Sequence, residues 1–179
     1  MPLDGGTNEN HACSKVRPRL LNQASIPGLK VLADALGDVL PEDHSRGDPS
    51  YLAKSALEII EAGQFAVDAS IARAAACARK YWGGADSETD RESLRLELLG
   101  QSKSAEARVG KESPEAARYA LASWSLDIVT PSSGYASDYL LDFAIRAGVS
   151  VETLQPILER NIPGLTEALQ ARRGAQGTR

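Results

Sequence analysis

Residues 51–84, YLAKSALEIIEAGQFAVDASIARAAACARKYWGG, form the longest nearly uninterrupted helical pattern in the chain. Leu52, Ala56, Ile59 and Ile60 recur at helical spacing, and Val67, Ile71, Ala74 or Ala75, Ala78 and Trp82 recur again after a gap. Residues so spaced share one face of an α-helix and line an apolar stripe. Gly63 interrupts the pattern, and glycine in a helix interior costs about 1 kcal/mol relative to alanine. The stretch therefore reads as two helices meeting near Gly63. The second stops at Gly83-Gly84, and its alanine-rich span 65–82 is the expected central strut.

On the N-terminal side, residues 1–19 are polar, contain Gly-Gly and lack periodicity, which reads as a leader without structure of its own. Ser25 then precedes Ile26-Pro27-Gly28, and Leu29, Leu32, Ala33, Leu36 and Leu40 mark a first helix over 26–40. The charged loop 41–50 ends in Asp48-Pro49, an N-cap followed by proline at the first helical position.

On the C-terminal side, Ser87 with Asp90 approximates a capping box for a helix carried by Leu94 and Leu98. Gly100, Ser102, Ser104 and Gly110 dilute its continuation, so 100–112 reads as a weak helix end or a loop. Ser113-Pro114-Glu115 starts the next helix, expected to run until Thr130-Pro131. Ser133 caps another through Tyr135, Tyr139, Phe143 and Ala147, with Gly148 at its C-terminal position. Ser150 caps a further helix, kinked at Pro156 or beginning nearer Thr153. Ile162-Pro163-Gly164-Leu165 opens a last short helix before the RRGAQGTR tail. The same Ile-Pro-Gly-Leu occurs at 26–29, which reads as reuse of a helix-start signal and not as a repeat.

These elements add up to an all-α fold: a single compact bundle of about seven helices over 20–173, between the leader 1–19 and a tail 174–179. The 179 residues suffice for one core, and aromatics at 5% with few β-branched runs argue against extensive sheet. A net charge of −4 disfavours a general nucleic-acid surface, which needs clustered Lys and Arg. Cys13 and Cys77 are too few for a disulfide framework, and no segment approaches the ~20 apolar residues of a membrane span. A cytoplasmic protein is the expectation.

Chemistry-bearing motifs are sparse. His11 and His44 have no paired ligand at metal spacing, and Glu42, Asp43, His44 and Asp48 read as a solvated loop in preference to a divalent-ion site. Asp138 and Asp142 are spaced i,i+4, as a catalytic acid and base on one helix would be, but Arg146 one turn on makes an Asp142–Arg146 surface pair the simpler reading. Ser132, Ser133 and Ser137 lack a nucleophile elbow and read as caps. Phosphate-binding glycine loops do not occur. No cofactor is implied.

Two surfaces remain as candidates. Arg79, Tyr81 and Trp82 at one helix end, and Tyr135 with Tyr139 on another, are aromatic positions suited either to the core or to anchoring a partner. Residues 143–158, FAIRAGVSVETLQPIL, carry the Ala-Gly-Val-Ser corner that resembles the helix-turn-helix of bacterial repressors. That resemblance implies Ser150, Thr153 and Gln155 as base or phosphate contacts; Glu152 and Pro156 depart from the pattern. The expected function is protein–protein contact without catalysis, as in an adaptor, an assembly subunit or an immunity protein, with self-association included. The alternative is a DNA-binding regulator using 143–160.

Overall fold

The structure is a computed structural model and describes residues 26–42, 47–85 and 88–176. The leader, His11, Cys13, Ser25, Asp43, His44, the Ser87 cap and residues 177–179 lie outside the described residues. Within them the chain is all-α, with eight packed helices and no strand. The helices are α1 (Leu29–Val39), α2 (Ser50–Ala62), α3 (Ala69–Trp82), α4 (Glu88–Val109), α5 (Pro114–Ser125), α6 (Gly134–Arg146), α7 (Val151–Asn161) and α8 (Leu165–Gln176).

The capping signals hold up well. Ser113, Ser133 and Ser150 each accept a hydrogen bond from the third amide onward, at Ala116, Ala136 and Thr153. Asp68 caps α3 by accepting from Ser70 and Ile71, and Asp48 accepts from Ser50 at 2.8 Å. The two Ile-Pro-Gly-Leu segments are the same local structure. Gly28 and Gly164 take left-handed φ values of 77° and 81°, and the Leu29 and Leu165 amides each bond the isoleucine carbonyl at 3.3 Å. Glycine adopts that φ without the Cβ penalty. Both motifs then drop a buried leucine into the core, at Leu29 and Leu165.

The opening stretch does break near Gly63, but its first half is the more central. α2 buries Leu52, Ala53, Ser55, Ala56, Leu57, Ile59 and Ile60 and packs against α3, α5, α6 and α7. The alanine-rich half contributes Ile71, Ala74, Ala75 and Ala78 to the core from one side. Val67 is not on that stripe: it ends a single 3₁₀ turn, Phe65–Val67, and is 93% exposed.

Of the two readings open for 100–112, a weak helix end or a loop, residues 100–109 are helix. The inward face of α4 is Arg91, Leu94, Leu98, Ser102 and Ala105, all buried at helical spacing. Its second half is small or polar because α5 lies close alongside, and the Ser102 hydroxyl donates to the Ala116 carbonyl at 2.9 Å. A hydrophobicity pattern misses a stripe of that kind.

Four ends also differ, the first being α1, which begins at Leu29 and not at 26 because left-handed Gly28 precedes it. α5 stops at Ser125, short of Thr130, because the Asp127 carboxylate captures the Val129 and Thr130 amides, each at 2.9 Å, in a local turn that competes with helix. α7 begins at Val151 and runs through Pro156. The proline, having no amide hydrogen, forgoes the helical bond to the carbonyl of Glu152. α8 continues through Gly174 to Gln176, later than the expected start of the tail.

Candidate functional site

Along α6 the buried positions are Ala136, Ser137, Leu140, Leu141 and Ala144, which leaves Tyr135, Asp138, Tyr139 and Asp142 along the opposite edge at helical spacing. The aromatic members form a ladder. Tyr135 and Tyr139 meet edge-on with centroids 5.1 Å apart, and their hydroxyls are 2.8 Å apart. Tyr139 continues to Phe143 at 6.3 Å, and Phe143 meets Trp124 of α5 edge-on at 6.1 Å. Ring pairs at such separations gain about 0.5–1.5 kcal/mol beyond area burial. Tyr135 is 46% exposed at the outer end, and Phe143 and Trp124 pack on the core at the inner end.

The polar groups beside the ladder fix its geometry. Arg146 lies over the Phe143 ring at 5.2 Å and donates through Nη1 to the Lys111 carbonyl. Its Nε is 2.9 Å from Asp142 Oδ2, yet misaligned for a hydrogen bond, so the contact is an ion pair. The expected Asp142–Arg146 pair is therefore present, but it is not the surface pair the spacing suggested: both side chains are largely buried. Burial pushes the Asp142 carboxyl above the usual carboxylate range; Arg146 pulls it back and Glu112 adds to the rise. The hydrogen bond with Tyr135, then burial, raises the Tyr139 phenol.

The second aromatic candidate faces inward. Trp82 donates its indole N–H to the Ser125 carbonyl at 3.2 Å and packs against the core. Tyr81 meets Trp82 edge-on at 4.8 Å, with Lys54 over the Trp82 ring at 5.4 Å and the Arg91 guanidinium over the Tyr81 ring at 5.0 Å. Arg91, 2% exposed, also donates to the Leu126 carbonyl at 2.6 Å. Trp82 and Arg91 thus satisfy the carbonyl end of α5, where the helix dipole favours a cation. Arg79 sits apart, exposed and paired with Glu61 at 2.6 Å. Arg91 was not singled out by sequence, where it reads as one more surface charge.

At the α6–α7 corner, Ser150 is consumed as the cap of α7, and its hydroxyl is 3.3 Å from that of Thr153. Gln155 is held between Glu159 at 2.5 Å and Arg173 of α8 at 2.7 Å. Glu152, Pro156 and Arg160 are the exposed positions of α7, with Arg160 paired to Glu58 of α2.

A polar groove that sequence reading missed runs between α4 and α5, about 350 Å³ in volume, lined by Glu97, Gln101, Ser104, Arg108, Glu115 and Tyr119. Its polar groups are engaged either with each other, Arg108 with Glu115 at 2.5 Å, or with the start of α3, Gln101 with Ser70 at 3.1 Å and Tyr119 with Asp68 at 3.0 Å. The signal for it is the one-face spacing of Glu97, Gln101, Ser104 and Arg108, which shows only if 100–109 is taken as helix, one of the two readings open for 100–112. Among the described residues no group of three or more His, Cys, Asp and Glu is placed to hold a metal ion, and no helix is long and apolar enough to cross a membrane. Comparison with known protein families, characterised proteins and solved structures returns no match.

Proposed function

We propose that this protein works through protein–protein contact and not catalysis, with the Tyr135–Tyr139 edge of α6 as the contact surface. The observation that carries the reading is the ladder: an exposed tyrosine backed by Tyr139, Phe143 and Trp124 down to the core. Amphipathic rings already held in place bind a partner with little loss of side-chain freedom, which is why tyrosine and tryptophan concentrate at interaction hot spots. An adaptor, an assembly subunit, an immunity-type protein or a self-associating subunit, acting in the cytoplasm, would each use such an edge. Trp82 offers less to a partner, because its N–H and much of its ring are engaged internally.

A photo-crosslinking residue placed at position 135, with position 79 as control, tests the assignment in a lysate of the source cell. The expected result is one specific adduct from 135 that Tyr139→Ala weakens by roughly 30-fold, the scale of a hot-spot truncation. Specific adducts from 79 alone would move the contact surface to the α3 end. A salt-dependent DNA shift that Gln155→Ala abolishes would replace this reading with the regulator.

A further inference from the structure

We propose that α8 is a clasp that opens as a unit, independently of global unfolding, and in opening uncovers the side of α1 on which it packs. α8 packs chiefly on α1 and, to a lesser extent, on α7. It buries only Leu165 and Leu169 fully, with Ala168 partly buried, while 170, 171 and 173–175 are exposed. α2 and α5, by contrast, are each packed by four other helices.

The remaining fastenings are polar and close to solvent. Arg172 grips Asp38 through Nε at 2.6 Å and Nη2 at 2.7 Å, and reaches Asp34 at 3.5 Å. Arg173 donates to Gln155, and Thr166 donates to Glu159 at 3.0 Å. Exposed pairs of this type weaken with added salt. A hinge lies in the right place. Ile162 is buried and stays with α7, whereas Pro163 and left-handed Gly164 are exposed and join α7 to α8. Local openings draw on elements with few buried apolar contacts and solvent-exposed fastenings, and α8 has both properties. Once it leaves, Asp34 and Asp38 of α1 lose their Arg172 partner.

Native-state hydrogen exchange on the full chain tests this directly. Amides of 166–172 should exchange faster than those of α2 and α5, and raising ionic strength should accelerate 166–172 alone. Arg172→Ala should speed exchange in α8 by roughly two- to fivefold, the range of exposed ion pairs. Leu169→Ala should speed it by roughly 30-fold or more, as loss of a buried leucine implies. In both variants the slowest amides of α2 and α5 should keep their wild-type rates. Uniform acceleration across all helices, or α8 amides exchanging only at the global rate, would overturn the clasp. Arg172→Ala alone decides the matter should Leu169→Ala fail to fold.

Discussion

Gly63→Ala puts the junction between α2 and α3 to a quantitative test. Gly63 has φ −77° and ψ −6°, ordinary right-handed values that alanine adopts readily. The backbone therefore gives no reason for glycine, and alanine by itself should stabilise by about 0.5–1 kcal/mol through the unfolded state. The obstacle is a side chain. A Cβ at 63 would lie 2.4 Å from Phe65 Cζ and 2.6 Å from its Cε2. Phe65 is 8% exposed, and the Arg118 guanidinium lies over its ring at 4.9 Å, so the ring has little room to yield. Overpacking of this kind costs about 1–3 kcal/mol, which leaves a net loss of roughly 1–2 kcal/mol. Phe65→Leu removes the clashing ring atoms while keeping an apolar side chain. In that background Gly63→Ala should become neutral or mildly stabilising, and the coupling across the cycle should be about 1–3 kcal/mol. Urea denaturation followed by the fluorescence of Trp82 and Trp124 measures all four proteins. Equal effects of Gly63→Ala in the two backgrounds, or stabilisation in the wild type, would refute the argument that the ring and not the backbone demands glycine.

Arg91→Met should destabilise by about 2–4 kcal/mol, since it leaves the Leu126 carbonyl without its donor and Tyr81 without its cation; thermal unfolding should fall by roughly 5–15 °C. A stabilised Arg91→Met would mean that the buried charge is a burden and not a cap. The Asp127 carboxyl is opposed by burial, but the Thr130 and Val129 amides and the Thr130 hydroxyl, with Arg95 nearby, hold it below its usual range. Its folded-state pKa is depressed, so its contribution is present above the ordinary carboxylate pKa and is lost as pH falls through the lowered value. Asp127→Ala should therefore lose about 1–2 kcal/mol at neutral pH, and the gap to wild type should close in acid; a gap constant with pH would contradict the turn's dependence on the carboxylate.

What the sequence makes legible here is whatever is signalled locally. Ser113-Pro114, Ser133, Ser150 and the two Ile-Pro-Gly-Leu entrances act through hydrogen bonds and dihedrals within a few residues, and each lies where its chemistry requires. The second half of α4 was illegible for the opposite reason. Ser102 and Ala105 are small or polar because of what approaches them across space, and only α5 reveals them as interior. Gly63 marks in sequence where two helices meet, but what a side chain there would strike is the Phe65 ring two residues on. The left-handed residue at that junction is Gln64, with φ 56°, which no sequence signal marks. Tyr135 and Tyr139 show their helical spacing in sequence, but the continuation to Phe143 and across to Trp124 depends on how α5 and α6 pack.

The buried serines divide the interior by how freely it can drift. Ser55, Ser125 and Ser137 spend their hydroxyls on carbonyls of their own neighbourhood, at Tyr51, Ala122 and Gly134. Alanine there keeps the volume and strands no distant partner, so exchange back and forth is close to neutral. Ser102 and Ser132 reach across to Ala116 and Leu52, and the same exchange breaks a link between elements. Lineages carrying this fold would wander along the first set of positions while holding the second, so that two descendants could differ at many interior sites and still superimpose.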